Sequence, residues 1–115
     1  MDKLIAKFFG VEPDEKNFYN GWELQKSGLP FLVGIMGNGT RDLPFDREWD
    51  WLMPVVEKIE NITDLLVVVT IEGNSCTISA EDKDGLYNKV SLTRNSKIES
   101  TYEGVVSFIK WYNEI

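Results

Sequence analysis

The groups in this chain that could do chemistry are carboxylates, one thiol and a glycine-rich stretch, for its 115 residues include no histidine. That absence removes the commonest general base, the commonest metal ligand and every Ser-His or Cys-His nucleophile arrangement. The remaining carboxylates fall into three groups: Glu48 with Asp50, Glu99 with Glu103, and Glu81 with Asp82 and Asp84. Carboxylate pairs cleave glycosidic bonds when an apolar pocket raises the pKa of one member. The first two pairs lie on the polar faces of helices that the apolar spacing predicts, so a solvated surface explains them. Asp82-Lys83-Asp84-Gly85 resembles part of a calcium loop. In that register Ala80 and Ser91 occupy the first and twelfth ligand positions, where oxygen donors, the last a bidentate Glu, are needed. A hairpin turn with Gly85 in a left-handed conformation accounts for the stretch better.

Gly34-Ile35-Met36-Gly37-Asn38-Gly39-Thr40 is the phosphate-loop candidate. A phosphate cradle needs backbone N–H groups at a helix N-terminus, usually with a Gly-Lys-Ser/Thr ending. Here Arg41-Asp42-Leu43-Pro44 follows instead, which reads as a plain loop. Cys76 falls mid-strand on an apolar face with no cationic neighbour to lower its pKa, so it reads as packing. Trp22, Trp51 and Trp111 are candidates for binding, together with Gly104, which leaves a gap on the last helix beside Phe108. A glycine inside a helix costs about 1 kcal/mol relative to alanine, so a close neighbour is expected there. These residues either pack within the chain or form a partner surface, where Trp and Tyr are enriched.

The elements that must position these groups follow from apolar spacing. Asp2 can start a short helix with Leu4, Ile5, Phe8 and Phe9 on one face, stopped at Gly10. Gly21-Trp22-Glu23-Leu24 is expected to begin a short strand, and Phe31 to Met36 reads as a buried strand. Arg47 to Glu60 reads as an amphipathic helix, with Asp46 or Glu48 near its start, that contains Pro54 on its polar side, where the proline bends the helix toward its layer. On that wheel Trp49 is central to the buried face and Trp51 lies at its rim, the more available for contact. Leu65 to Ile71 is a strand by β-branched content, and Gly73-Asn74 is a two-residue hairpin turn. The turn fixes a register in which Glu72 faces Ser75, Ile71 faces Cys76, Val69 faces Ile78 and Val67 faces Ala80. A one-residue slip would destroy the resulting apolar face. Leu86, Val90 and Leu92 alternate with polar residues as in a third strand. Ser96-Lys97-Ile98-Glu99 is a capping box that opens the last helix, to about Asn113.

Length suits one α+β domain, residues 1–115. The sheet is expected to be mostly antiparallel, with four or five strands. Two long helices pack on it, and the short N-terminal helix covers part of the other face as a third layer. The net charge of −7 is spread over both halves. It disfavours nonspecific nucleic-acid binding, which depends on Lys and Arg, and an anionic membrane surface. No stretch reaches the ~18 apolar residues of a membrane span. With one cysteine and no secretory signal pattern in Met1 to Gly10, a cytoplasmic setting is expected.

Two stretches carry a resemblance. One is Trp49-x-Trp51-Leu52-Met53-Pro54-Val55-Val56-Glu57-Lys58-Ile59-Glu60. The other is Ser96-Lys97-Ile98-Glu99, continued by Tyr102-Glu103-x-Val105-Val106-x-Phe108-Ile109-Lys110-Trp111-Tyr112-Asn113. Together they resemble small uncharacterised proteins of gut Bacteroidetes and their phages, similar to the phage ABA sandwich group, whose name describes helices layered on a sheet. The chain departs from that pattern at Glu48, where relatives often have Ser or Thr, and at Gly104, where Ala is commoner. The resemblance implies a phage or mobile-element setting and supplies no catalytic residue.

The sequence therefore points to a noncatalytic interaction or accessory protein with no cofactor and no metal. Its expected partner is an unidentified protein or a second copy of itself. Two competitors remain. An acidic decoy of a nucleic-acid-binding protein would array carboxylates on one face. A small-ligand binder or carboxylate enzyme would need a deep pocket with a perturbed carboxyl.

Overall fold

A computed structural model describes residues 2–31, 40 and 42–115. In chain order the elements are α1 (Asp2–Phe8), α2 (Gly21–Lys26), α3 (Trp49–Glu60), β1 (Leu66–Glu72), β2 (Ser75–Glu81), β3 (Tyr87–Thr93) and α4 (Lys97–Glu114). The fold is α+β, with a three-stranded antiparallel sheet in the order β1-β2-β3 and helices packed on one face.

The hairpin chemistry works as its residues dictate. Gly73 takes φ +56, and Glu72 pairs with Ser75 across the turn. The register then runs Ile71 to Cys76, Val69 to Ile78 and Val67 to Ala80, as expected from the sequence. At the second turn, Asp82 Oδ1 accepts from the N–H groups of Asp84 (2.9 Å) and Leu86 (2.8 Å). Gly85 there has φ +92. β3 places Val90 beside Ile78 and Leu92 beside Cys76, on the same face.

That face is covered by α4, which lies mainly over β2 and β3, while α3 packs beside β1. Ser96 caps α4, its Oγ accepting from the Glu99 N–H at 3.2 Å. Val105, Val106, Phe108 and Ile109 point into the core, with Phe108 and Ile109 fully buried. Each such side chain contributes roughly 1.5–3 kcal/mol through burial. Ser100 and Thr101 are buried as well, on the helix's inner side. Ser100 Oγ accepts from the Arg94 N–H at 2.9 Å and donates to the Asn74 carbonyl, tying α4 to the first hairpin turn. Thr101 Oγ1 donates to the Lys97 carbonyl at 2.8 Å.

Two expectations need correction, and a third reaches past the described residues. Gly21 to Leu24 does not begin a strand; it opens α2. Asn20 is the cause, since its Oδ1 accepts from the N–H groups of Trp22 (2.9 Å) and Glu23 (3.2 Å) and starts the helix. Among the described residues the sheet has three strands rather than four or five. Phe31 is not in a strand, and the rest of the segment expected to form one, residues 32–36, lies outside the described residues. Nor does α1 cover the open side of the sheet. It packs against α4, with Phe8 edge-on to Tyr112 at 6.3 Å, and Lys58 of α3 sits over the Phe8 and Phe9 rings. Among the described residues nothing covers the second face of the sheet, where Leu66, Val68 and Tyr87 are exposed.

Candidate interaction surface

The structure separates the four residues singled out from the sequence and gives each its own surroundings. Trp51 is in the core, only 4 % exposed, with its ring edge-on to Phe45 at 5.5 Å. Trp49 is only partly buried, so the expected roles of the two tryptophans are reversed. The reason is a segment with no periodicity. Leu43, Pro44 and Phe45 are buried and add a second wall, so the buried arc of α3 runs from Trp51 through Val55, Ile59 and Leu52 to Val56. Trp49 and Met53 are left at its other rim, with Met53 exposed. A wheel that assumes the sheet as sole partner cannot find that wall.

Gly104 is filled from within. A Cβ there would stand 3.1 Å from Cys76 Sγ and 3.7 Å from Ile78 Cδ1, so the glycine lets α4 descend onto β2. Burial pushes the Cys76 thiol pKa up, against a smaller opposing effect from its bond to Thr101, which agrees with a packing role. Trp111 is partly buried at the edge of the core, tilted against Phe108 at 5.7 Å.

Trp22 is the exposed one, at 66 %. Its ring lies 4.9 Å from that of Phe31, itself 41 % exposed, in an edge-type contact. The short helix that carries Trp22 is held at both ends. Asn20 caps its start, and Tyr19 just before it bridges Thr40, with N–H to carbonyl distances of 2.6 and 3.1 Å. At its end Gly28, with φ +103, allows the Leu29 N–H to reach back to the Leu24 carbonyl at 3.0 Å. Leu24 and Leu29 are buried and anchor the helix below. The result is an aromatic pair presented on a locally fixed backbone. Sequence reasoning singled out Trp22 but missed its partner Phe31, which it assigned to a buried strand. The available signal was Asn20 followed by Glu23 three residues later, a helix start.

A second feature is acidic. Asp46, Glu99, Tyr102 and Glu103 line a cleft at the start of α4. Arg47 pairs with Asp42 and, at 2.9 Å, with Asp46, and Arg94 pairs with Glu103 at 2.9 Å. Beside this cleft the Tyr102 hydroxyl donates to Asp2 Oδ1 at 3.3 Å. Burial raises the Asp2 carboxyl above its ordinary range; the Tyr102 bond opposes this, and the charges of Asp46 and Asp42 add to it. Burial also raises the Tyr19 pKa, helped by the charges of Asp2 and Glu12. The Tyr19 hydroxyl is buried with no hydrogen-bond partner among the described residues. The glycine-rich stretch from Gly34 to Gly39 lies outside the described residues.

Among the described residues, no helix is long and apolar enough to cross a membrane. Comparison with known proteins finds no matching family model, no matching curated protein and no matching solved structure.

Proposed function

We propose that this chain is a noncatalytic interaction protein that docks a protein partner through the Trp22–Phe31 pair. The single observation that carries this reading is a tryptophan 66 % exposed, stacked edge-on against a second exposed ring. Exposed Trp on a preorganised backbone is the typical hot-spot residue, because its large face is desolvated on binding at little entropic cost. A phage or mobile-element accessory role is the setting that the two helical motifs suggest.

The acidic-decoy reading comes second, favoured by the cleft of Asp46, Glu99 and Glu103. Arg47 and Arg94 neutralise part of that surface, which weakens it as a mimic of a phosphate array.

Retention of host proteins on the immobilised chain tests both readings. In the first, a species retained by the wild type is lost with Trp22→Ala and with Phe31→Ala, while the melting temperature holds within a few degrees. In the second, retention survives those changes and is lost with Asp46→Asn combined with Glu99→Gln. Retention that none of these variants alters would discard both.

A further inference from the structure

The two edges of the sheet, β1 and β3, are built differently. Natural sheet edges avoid pairing with other chains by carrying a lysine, a proline or a bulge. β3 has Lys89 in its middle. β1 has none of these devices. Its sequence is Leu-Val-Val-Val-Thr-Ile-Glu, and it pairs with β2 residue for residue without a bulge. Leu66 and Val68 on its open side are 65 % and 51 % exposed. Val69 and Ile71, on the side covered by helices, are still only partly buried. Among the described residues, no further strand pairs with β1.

We infer that β1 pairs antiparallel with β1 of a second copy of this chain, about a two-fold axis at Val69, so that the two sheets become one. The register supplies the argument for self-pairing. Glu72 and Ser75 close a two-residue hairpin turn, so their backbone groups bond to each other. By alternation along the strand, the groups of Val67, Val69 and Ile71 point outward from the free edge. Centring the pair on Val69 sets these outward groups opposite one another, Val67 facing Ile71 of the second copy and Val69 facing its own counterpart. The side chains match by face as well: the half-covered Val69 and Ile71 meet apolar residues on the helix side. On the open side Val68 meets Thr70, and Leu66 meets Glu72. Moving the axis to Val68 would set Asp64 opposite Glu72, a like-charge pair that disfavours that register. A slip to an odd offset would place core-side residues opposite solvent-side ones. Each copy carries a net charge of −7, so the two molecules repel at long range. The dimer should therefore tighten as salt screens that repulsion.

This inference does not rest on Trp22 and is tested separately. Light scattering from micromolar to several hundred micromolar protein should show the 13.2 kDa mass rising toward twice that value. The transition should shift to lower concentration between 20 and 300 mM salt. Val68→Lys, which puts a charge on the exposed side of the edge, should weaken the dimer at least tenfold while leaving the monomer's melting temperature in place. Val69→Pro, which removes an outward N–H, should weaken it likewise. Amide hydrogen exchange at Val67, Val69 and Ile71 should slow with rising concentration, while that of β3 should not. A monomer throughout, an open-ended oligomer, a dimer indifferent to Val68→Lys, or protection that falls on β3 would each overturn the inference.

Discussion

At the scale of single residues, Gly104 shows how one missing methyl group sets a helix–sheet distance. An alanine there gains about 1 kcal/mol in helix propensity. It also places its Cβ 3.1 Å from Cys76 Sγ, closer than the sulfur tolerates without moving. The two effects oppose each other, so Gly104→Ala alone should be neutral or destabilising. With Cys76→Ala the nearest neighbours of the new methyl become ordinary contacts, and Gly104→Ala should then stabilise by up to about 1 kcal/mol. Urea unfolding of the two single variants and the double variant measures this coupling. Additive energies would show that Cys76 is not what requires the glycine. The need for a close neighbour at this position was legible in the sequence, because glycine is a poor helix interior residue. The identity of that neighbour was not, since it depends on how α4 sits across β2. The same limit applies to Trp51. Its partner Phe45 comes from a segment whose burial follows no period.

At the scale of elements, the β meander and α4 were readable because their signals are local and agree with one another. The Gly73-Asn74 turn, the alternation of Val67, Val69 and Ile71, and the Ser96 cap all fix neighbours within a few residues. α2 was misread because its six residues are too few to show a helical period, and its cap carries the information instead. That cap can be tested. Asn20→Ala removes the acceptor for two N–H groups and should cost about 1 kcal/mol. The loss should be concentrated in α2, so amide exchange at Trp22 and Glu23 should accelerate well beyond that of α4. Asn20→Ser should restore most of the protection, because serine caps nearly as well. Uniform acceleration across the chain would place the effect of Asn20 elsewhere.

At the scale of the whole molecule, the bond from Tyr102 to Asp2 joins groups 100 positions apart and clips the first helix to the last. The Asp2 carboxyl is the raised one, chiefly through burial, so the folded state holds this proton more tightly than the unfolded chain does. The contribution of this group to stability is then full below its ordinary value of 3.8 and is lost as pH rises through the higher folded-state value. Asp2→Asn keeps an acceptor for the Tyr102 hydroxyl but carries no charge. It should melt above the wild type at pH 7, and the difference should shrink as pH falls toward 3. Melting curves of both proteins over that range measure it; a gap that stays constant or grows in acid would sink the argument.

Among the described residues the helices that touch the sheet lie on one side of it, and α4 supplies most of its cover. That arrangement has a consequence for refolding from the unfolded chain. The meander is held by its local turns and α3 packs beside β1, yet β2 and β3 keep an apolar side bare until the eighteen residues of α4 dock on it. Until then Cys76 and Ile78, fully buried in the folded chain, face water. Docking of α4 is therefore the step that closes the core, and loss of that helix exposes a contiguous apolar surface.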